Sequence, residues 1–275
     1  LGSFNDPRLA EAVKTASASE SAALRLAALP IAAKLSPNDA APVLANFVAK
    51  GNAQEQKVAF ETLGNLKHPS ADTILAEQLK LLAADKIAPA VQLELLEAAA
   101  KRDSAEIKKL FAERDVAIAG KSDPLAAFRF ALQGGDRERG QRIFDNQPTL
   151  ACVRCHRVGN APGAEGAPNL ADFGNKSPDA REHALESIVK PNAKIAPGFD
   201  TIVLTRKSGG VAVGIVASET PEAISLRDAE GKIVEVKKDD IAKRDAAPSA
   251  MPEIYGAILS KTELRDIVEY VSTIG

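Results

Sequence analysis

Residues 140–170 read GQRIFDNQPTLACVRCHRVGNAPGAEGAPNL, and the five residues CVRCH at 152–156 decide how the second half of the chain is to be read. Two thiols three positions apart, with an imidazole directly after the second, form the spacing of covalent c-type haem attachment. Each thiol can join one vinyl group on the same haem edge, and the adjacent histidine is then carried beneath the iron. Cys152 and Cys155 are thus candidate thioether positions, and His156 is the candidate proximal iron ligand.

Other uses of the motif fit less well. The whole chain holds two cysteines, three histidines, one methionine and no tryptophan. A zinc site wants four ligands, and only His68 and His183 remain to complete one, while adjacent Cys and His rarely chelate tetrahedrally together. A thioredoxin-like pair wants a strand before CxxC and a helix after it, whereas here a helical pattern precedes and a Gly/Pro-rich loop follows. A disulfide across two intervening residues would close a small strained loop and leave His156 unexplained.

A six-coordinate iron needs a second axial ligand. Met251 is the only methionine and lies in the Pro-flanked segment APSAMPEIYG at 247–256. His183 is the competitor, with a lower reduction potential implied. It falls on an amphipathic helical pattern among Arg181, Glu182 and Glu186, where a solvated side chain is the simpler reading. His68, in LKHPS, reads as structural or exposed.

Working outward, residues 7 to about 133 are rich in Ala and Leu at three- and four-residue spacing, broken by Pro, Gly, Asn or Asp. LRLAALPIAAKL (24–35), QKVAFETLGNL (56–66) and VQLELLEAAAKR (91–102) recur at similar intervals, each preceded by another amphipathic stretch. They resemble HEAT-like helix pairs, in which each pair leaves an apolar face that only its neighbour covers; a plain helical bundle is the alternative. The expected domains are a helical repeat array at 1–133 and a second domain at 134–275.

In the second domain, GGDRERGQRIF predicts a helix after two glycines, PDAREHALESIVK (178–190) another with Ala184, Leu185, Ile188 and Val189 on its apolar side, and KTELRDIVEYVSTI (261–274) a third. Between them, from about 199 to 241, the period switches to two in FDTIVLTRK, GGVAVGIVAS, EAISLRD and KIVEVKKDDI, with SGG, TP and AEG as breaks. That predicts four or five short antiparallel strands. The fold class is multidomain and mainly α, with a small β module inserted in the second domain.

Several of these segments resemble class I cytochrome c: GQRIF (140–144), CVRCHRVG (152–159), GAPNL (166–170) and MPEIYGAILSKTELRDIVEYV (251–271). The resemblance implies that the first and last helices of that domain cross, with Gly140 allowing close approach and Phe144 and Tyr270 sealing the contact. It implies a loop ending in Leu170 wrapped around the proximal side, with the Pro168 carbonyl accepting the proton of the other nitrogen of His156. With LESIVKPNAKIAPGF (185–199) and the strands included, residues 134–275 are similar to the haem-binding domain at the C-termini of large exported planctomycete and verrucomicrobial proteins. There helical repeats often precede the cytochrome, frequently behind a dehydrogenase domain.

The implied molecule is an electron-transfer protein rather than an enzyme, with one covalent haem c on His156 and Met251. It passes single electrons from an oxidoreductase domain or partner to a downstream acceptor. A haem peroxidase or gas sensor with an open sixth position is the alternative; a scaffold whose helices or β module bind a partner is another. Lys plus Arg is 35 against 37 for Asp plus Glu, which leaves no basic excess for nucleic acid. No run approaches the roughly 20 apolar residues of a membrane span. The start LGSFNDPRLA lacks the basic and apolar regions of a signal peptide, yet haem of this kind is attached after export. The expectation is therefore a segment of a longer protein, periplasmic or otherwise exported.

Overall fold

A computed structural model describes residues 8–150, 152–160, 166–228 and 231–275. The opening LGSFNDP and most of the AEG break lie outside the described residues. The chain divides after Phe130 into two compact units, three residues earlier than the change in sequence pattern placed the boundary.

Among the described residues, the first unit holds the α-helices α1 (Leu9–Ser17), α2 (Ala22–Leu35), α3 (Pro37–Lys50), α4 (Ala53–Asn65), α5 (Pro69–Ala83), α6 (Gln92–Ala100) and α7 (Ala105–Ala119). The three self-similar segments are α2, α4 and α6. From α2 to α5, each helix packs on its next and next-but-one neighbour in sequence. Leu44, Phe60, Leu63, Leu75, Leu95 and Ile107 are fully buried between them, and alanines at intervening buried positions let the backbones approach. The breaks are chemically explicit: Asn52 and Glu55 form a reciprocal capping box at α4. His68 caps α5 through its Nδ1, ahead of Pro69 at the first helical position. Arg102, just past α6, donates to Asp72 Oδ1 at 2.6 Å and to the Leu66 carbonyl at 2.7 Å, tying two helix ends together. His68 is thereby accounted for as a structural residue.

The second unit holds α8 (Arg137–Asn146), α9 (Phe173–Lys176), α10 (Ala180–Val189), strands β1 (Thr201–Arg206), β2 (Val211–Glu219), β3 (Ala223–Arg227), β4 (Ile233–Lys237) and β5 (Ile241–Ala246), then α11 (Tyr255–Ile258) and α12 (Lys261–Ser272). α12 packs on α8 and α10, with Leu264, Ile267, Val268 and Val271 buried as their spacing predicts. The five strands form one antiparallel sheet in the order β4-β3-β2-β1-β5. Ile202, Leu204, Ala212, Ile224, Leu226 and Val236 form its core.

The sheet extends further than its alternation suggested. KIVEVKKDDI is not one strand: β4 ends at Lys237, a 3-10 turn spans Lys238–Asp240, and β5 runs on to Ala246, beyond residue 241. β5 is an edge strand whose AKRDA residues are mostly exposed, so it carries no apolar period to read. It pairs back onto β1, Ile202 opposite Ala246, and the Ala247 N–H donates to the Thr201 carbonyl at 2.9 Å. The β module is thus an insertion whose two ends meet, closed immediately before the segment carrying Met251.

Candidate haem site

The helix crossing comes first because it frames the site. A Cβ on Gly140 would lie 2.6 Å from the carbonyl carbon of Asp266, closer still to its oxygen, and 2.8 Å from Tyr270 Cβ. Only glycine lets α8 and α12 touch here. Four residues on, the Phe144 and Tyr270 rings meet at 5.5 Å between centroids, inclined by 59°, and both are buried. Arg137 lies over the Tyr270 ring at 5.6 Å. The three residues singled out for this contact are brought together.

Polar groups that sequence reasoning missed lock the same crossing. Asp266, 1% exposed, accepts from the Asp136 N–H at 2.7 Å and from Arg139 Nε and a second guanidinium nitrogen at 2.7 and 3.3 Å. Arg181 of α10 forms a two-pronged pair with Glu269, one contact at 2.8 Å, and donates to the Leu132 carbonyl at 3.1 Å. Nothing in their local pattern marks Asp266 or Glu269, since acidic residues on an amphipathic helix usually face water.

The attachment segment leaves α8 through a short turn and folds at Cys152–Arg154 into one 3-10 turn. The N–H groups of Cys155 and His156 both donate to the Cys152 carbonyl, at 3.1 and 2.9 Å. This winds the two thiols and the imidazole onto one small ring of backbone. His156 Nδ1 lies 2.9 Å from the Pro168 carbonyl. A carbonyl can only accept, so Nδ1 carries the hydrogen and Nε2 keeps its lone pair for a metal. Burial lowers the His156 pKa against the opposing pull of that carbonyl, which favours the neutral imidazole.

Asn169 staples the returning loop: its Oδ1 accepts from the Gly159 N–H at 3.1 Å and its Nδ2 donates to the Gly159 carbonyl at 2.9 Å. The Leu170 N–H donates to the Arg157 carbonyl at 2.8 Å, and the Leu170 side chain is buried. Asn169 lies inside the GAPNL motif with no local sign of this role; its side chain ties the residue after Pro168 to Gly159 and Ala171.

The two cysteines form no disulfide with each other. Burial pushes the Cys152 thiol up to about 11, the opposite of an activated redox cysteine or a zinc thiolate. Among the described residues no group of three or more His, Cys, Asp or Glu side chains could hold a metal ion. The donor set therefore fits a haem, which needs two thiols to alkylate and one imidazole. In the haem-free chain, Cys155, which is exposed, is expected to react with iodoacetamide about tenfold faster than Cys152. Mass mapping of the alkylated peptides reads this; equal rates would contradict the buried placement.

Met251 is partly buried between β5 and α11, with its N–H donating to Ser249 Oγ at 3.2 Å. Its segment is tied to the attachment segment by Tyr255, whose hydroxyl donates to the Leu150 carbonyl at 2.8 Å. His183 is not a solvated residue: half-buried on α10, it packs on Phe173 at 5.0 Å between centroids, with Nδ1 3.3 Å from Ser177 Oγ. Its helix turns it toward α9, where the aromatic ring shields it.

No described helix is long and apolar enough to cross a membrane. No curated protein matches the chain. Residues 137–204 match the family model Cytochrome c, a stretch that opens with α8, takes in CVRCH, the Pro168 loop and α10, and stops in β1. Residues 137–204 of the second unit are thus similar to c-type cytochromes, a family that holds haem c covalently and serves haem-based electron transfer.

Proposed function

We propose that the chain is a mono-haem c-type cytochrome that passes single electrons, with Cys152 and Cys155 as thioether links and His156 and Met251 as axial ligands. The observation that carries this reading is the His156 Nδ1 contact to the Pro168 carbonyl on the CVRCH turn. It fixes the tautomer and aims Nε2, which is what a proximal ligand requires. Bound haem supplies a one-electron ferric/ferrous couple. His156 and Met251 together would leave no coordination position for substrate, so exchange of electrons is the chemistry left to the site. A thioether favours the ferrous state and raises the potential.

In this reading the helices of the first unit are a HEAT-like array that serves as spacer or docking surface. The next-but-one packing from α2 to α7 supports that. The redox partners are an oxidoreductase domain or protein as donor and a downstream cytochrome or oxidase as acceptor. The setting is periplasmic or otherwise exported, in keeping with attachment of haem c after export, and the β module between CVRCH and Met251 supports kinship with the planctomycete and verrucomicrobial haem-binding domains.

The test is an oxidised and reduced optical spectrum carried into the near-infrared, where sulfur-to-iron charge transfer absorbs, with Met251→Ala as control. The band is expected in the wild type and absent from the variant, and the variant's ferrous form is expected to bind carbon monoxide rapidly. A wild type with no such band that binds carbon monoxide at the variant's rate would instead be a peroxidase or sensor with an open iron.

A further inference from the structure

The segment from Ala247 to Ile254 contains no helix or strand, so side chains must place Met251. Asn192, three residues beyond the end of α10 and in no helix or strand of its own, reaches across to it twice. Its Oδ1 accepts from the Ser249 N–H at 2.7 Å, and its Nδ2 donates to Glu253 Oε1 at 2.7 Å. Ser249 and Glu253 stand two residues to either side of Met251. The Ser249 hydroxyl in turn receives the Met251 N–H.

We infer that Asn192 is the positioning residue for Met251, a single amide that grips the methionine segment on both flanks and holds the thioether at the site. This rests on the reading of Met251 as an axial ligand. The amide is suited to the task because one end only accepts and the other only donates, which matches a backbone N–H on one flank and a carboxylate on the other. An aspartate could keep the first bond but would set two carboxylates against each other at the second. The β insertion closes at Thr201 and Ala247, so the segment arrives from one anchored point. It is anchored again at Tyr255. Asn192 supplies the hold between those two anchors, where Met251 lies.

The experiment compares the haem-loaded full chain with Asn192→Ala, Asn192→Asp and Glu253→Ala, by near-infrared spectrum, carbon monoxide binding to the ferrous form and hydrogen exchange of the Ser249 amide. Two exposed hydrogen bonds are lost in Asn192→Ala, and carbon monoxide uptake is expected to rise about fivefold, with faster exchange at Ser249. Glu253→Ala loses one bond from an exposed side chain and should shift both readouts part of the way; Asn192→Asp should protect the Ser249 amide better than Asn192→Ala does. Wild-type carbon monoxide binding and Ser249 exchange in Asn192→Ala, beside rapid binding in Met251→Ala, overturn the inference while leaving the ligand assignment standing. A wild type already as fast as Met251→Ala overturns the ligand assignment itself.

Discussion

Gly140→Ala is expected to destabilise the second unit by about 3 kcal/mol, the upper end of what forcing apart a close-packed contact costs. The added methyl would meet the Asp266 carbonyl and Tyr270 Cβ, one of them backbone that no rotamer change can move. α8 and α12 would have to separate, which opens the Phe144–Tyr270 contact and lengthens the bonds to Asp266. Thermal unfolding of the haem-free chain by circular dichroism, set against the wild type, measures this. Unchanged stability would mean that the two helices do not cross at this glycine.

Asp266→Ala is expected to cost about 2–4 kcal/mol, because a buried carboxylate that satisfies three donors is removed from among them. Arg139 is half-exposed and can turn to water, so its charge adds little to the penalty. The Asp136 N–H loses its acceptor, and the methyl left behind does not fill the space. Asp266→Asn keeps an acceptor of the same shape and is expected to recover about half the loss, which separates the hydrogen bond to Asp136 from the charge on the pair. Denaturant titration with equal slopes for both variants reads the difference.

What was legible in the sequence is what repeats or what is rare. The Ala- and Leu-rich helices of the first unit announce themselves by period, and α10 and α12 bury the residues that their spacing selects. Cys, His and Met are scarce enough that CVRCH and Met251 could be picked out singly. Gly140, Phe144, Tyr270 and Pro168 became readable through resemblance alone; the first three meet at the crossing of α8 and α12, and the Pro168 carbonyl lies beside His156. Hidden from view were the polar contacts between elements distant in sequence. Asn192 and Ser249 are 57 residues apart and Asp136 and Asp266 are 130 apart, and an amide or carboxylate gives no local sign of which partner it will find. β5 has no local sign for a related reason: its residues 242–244 and 246 are exposed, so Lys243 and Arg244 in succession erase the alternation that the other edge strand, β4, keeps.

The order of the strands bears on when the site is assembled during folding. β1 to β4 form by successive hairpins between sequence neighbours, each closing a short loop. β5 must return across the whole meander to reach β1, with Ile202 meeting Ala246, and closing a longer loop costs more chain entropy before any contact repays it. The methionine segment issues from β5, so its side of the site is expected to gain its shape last, after the sheet has closed behind it, whereas the 3-10 turn bearing Cys152, Cys155 and His156 is a local structure that can form early.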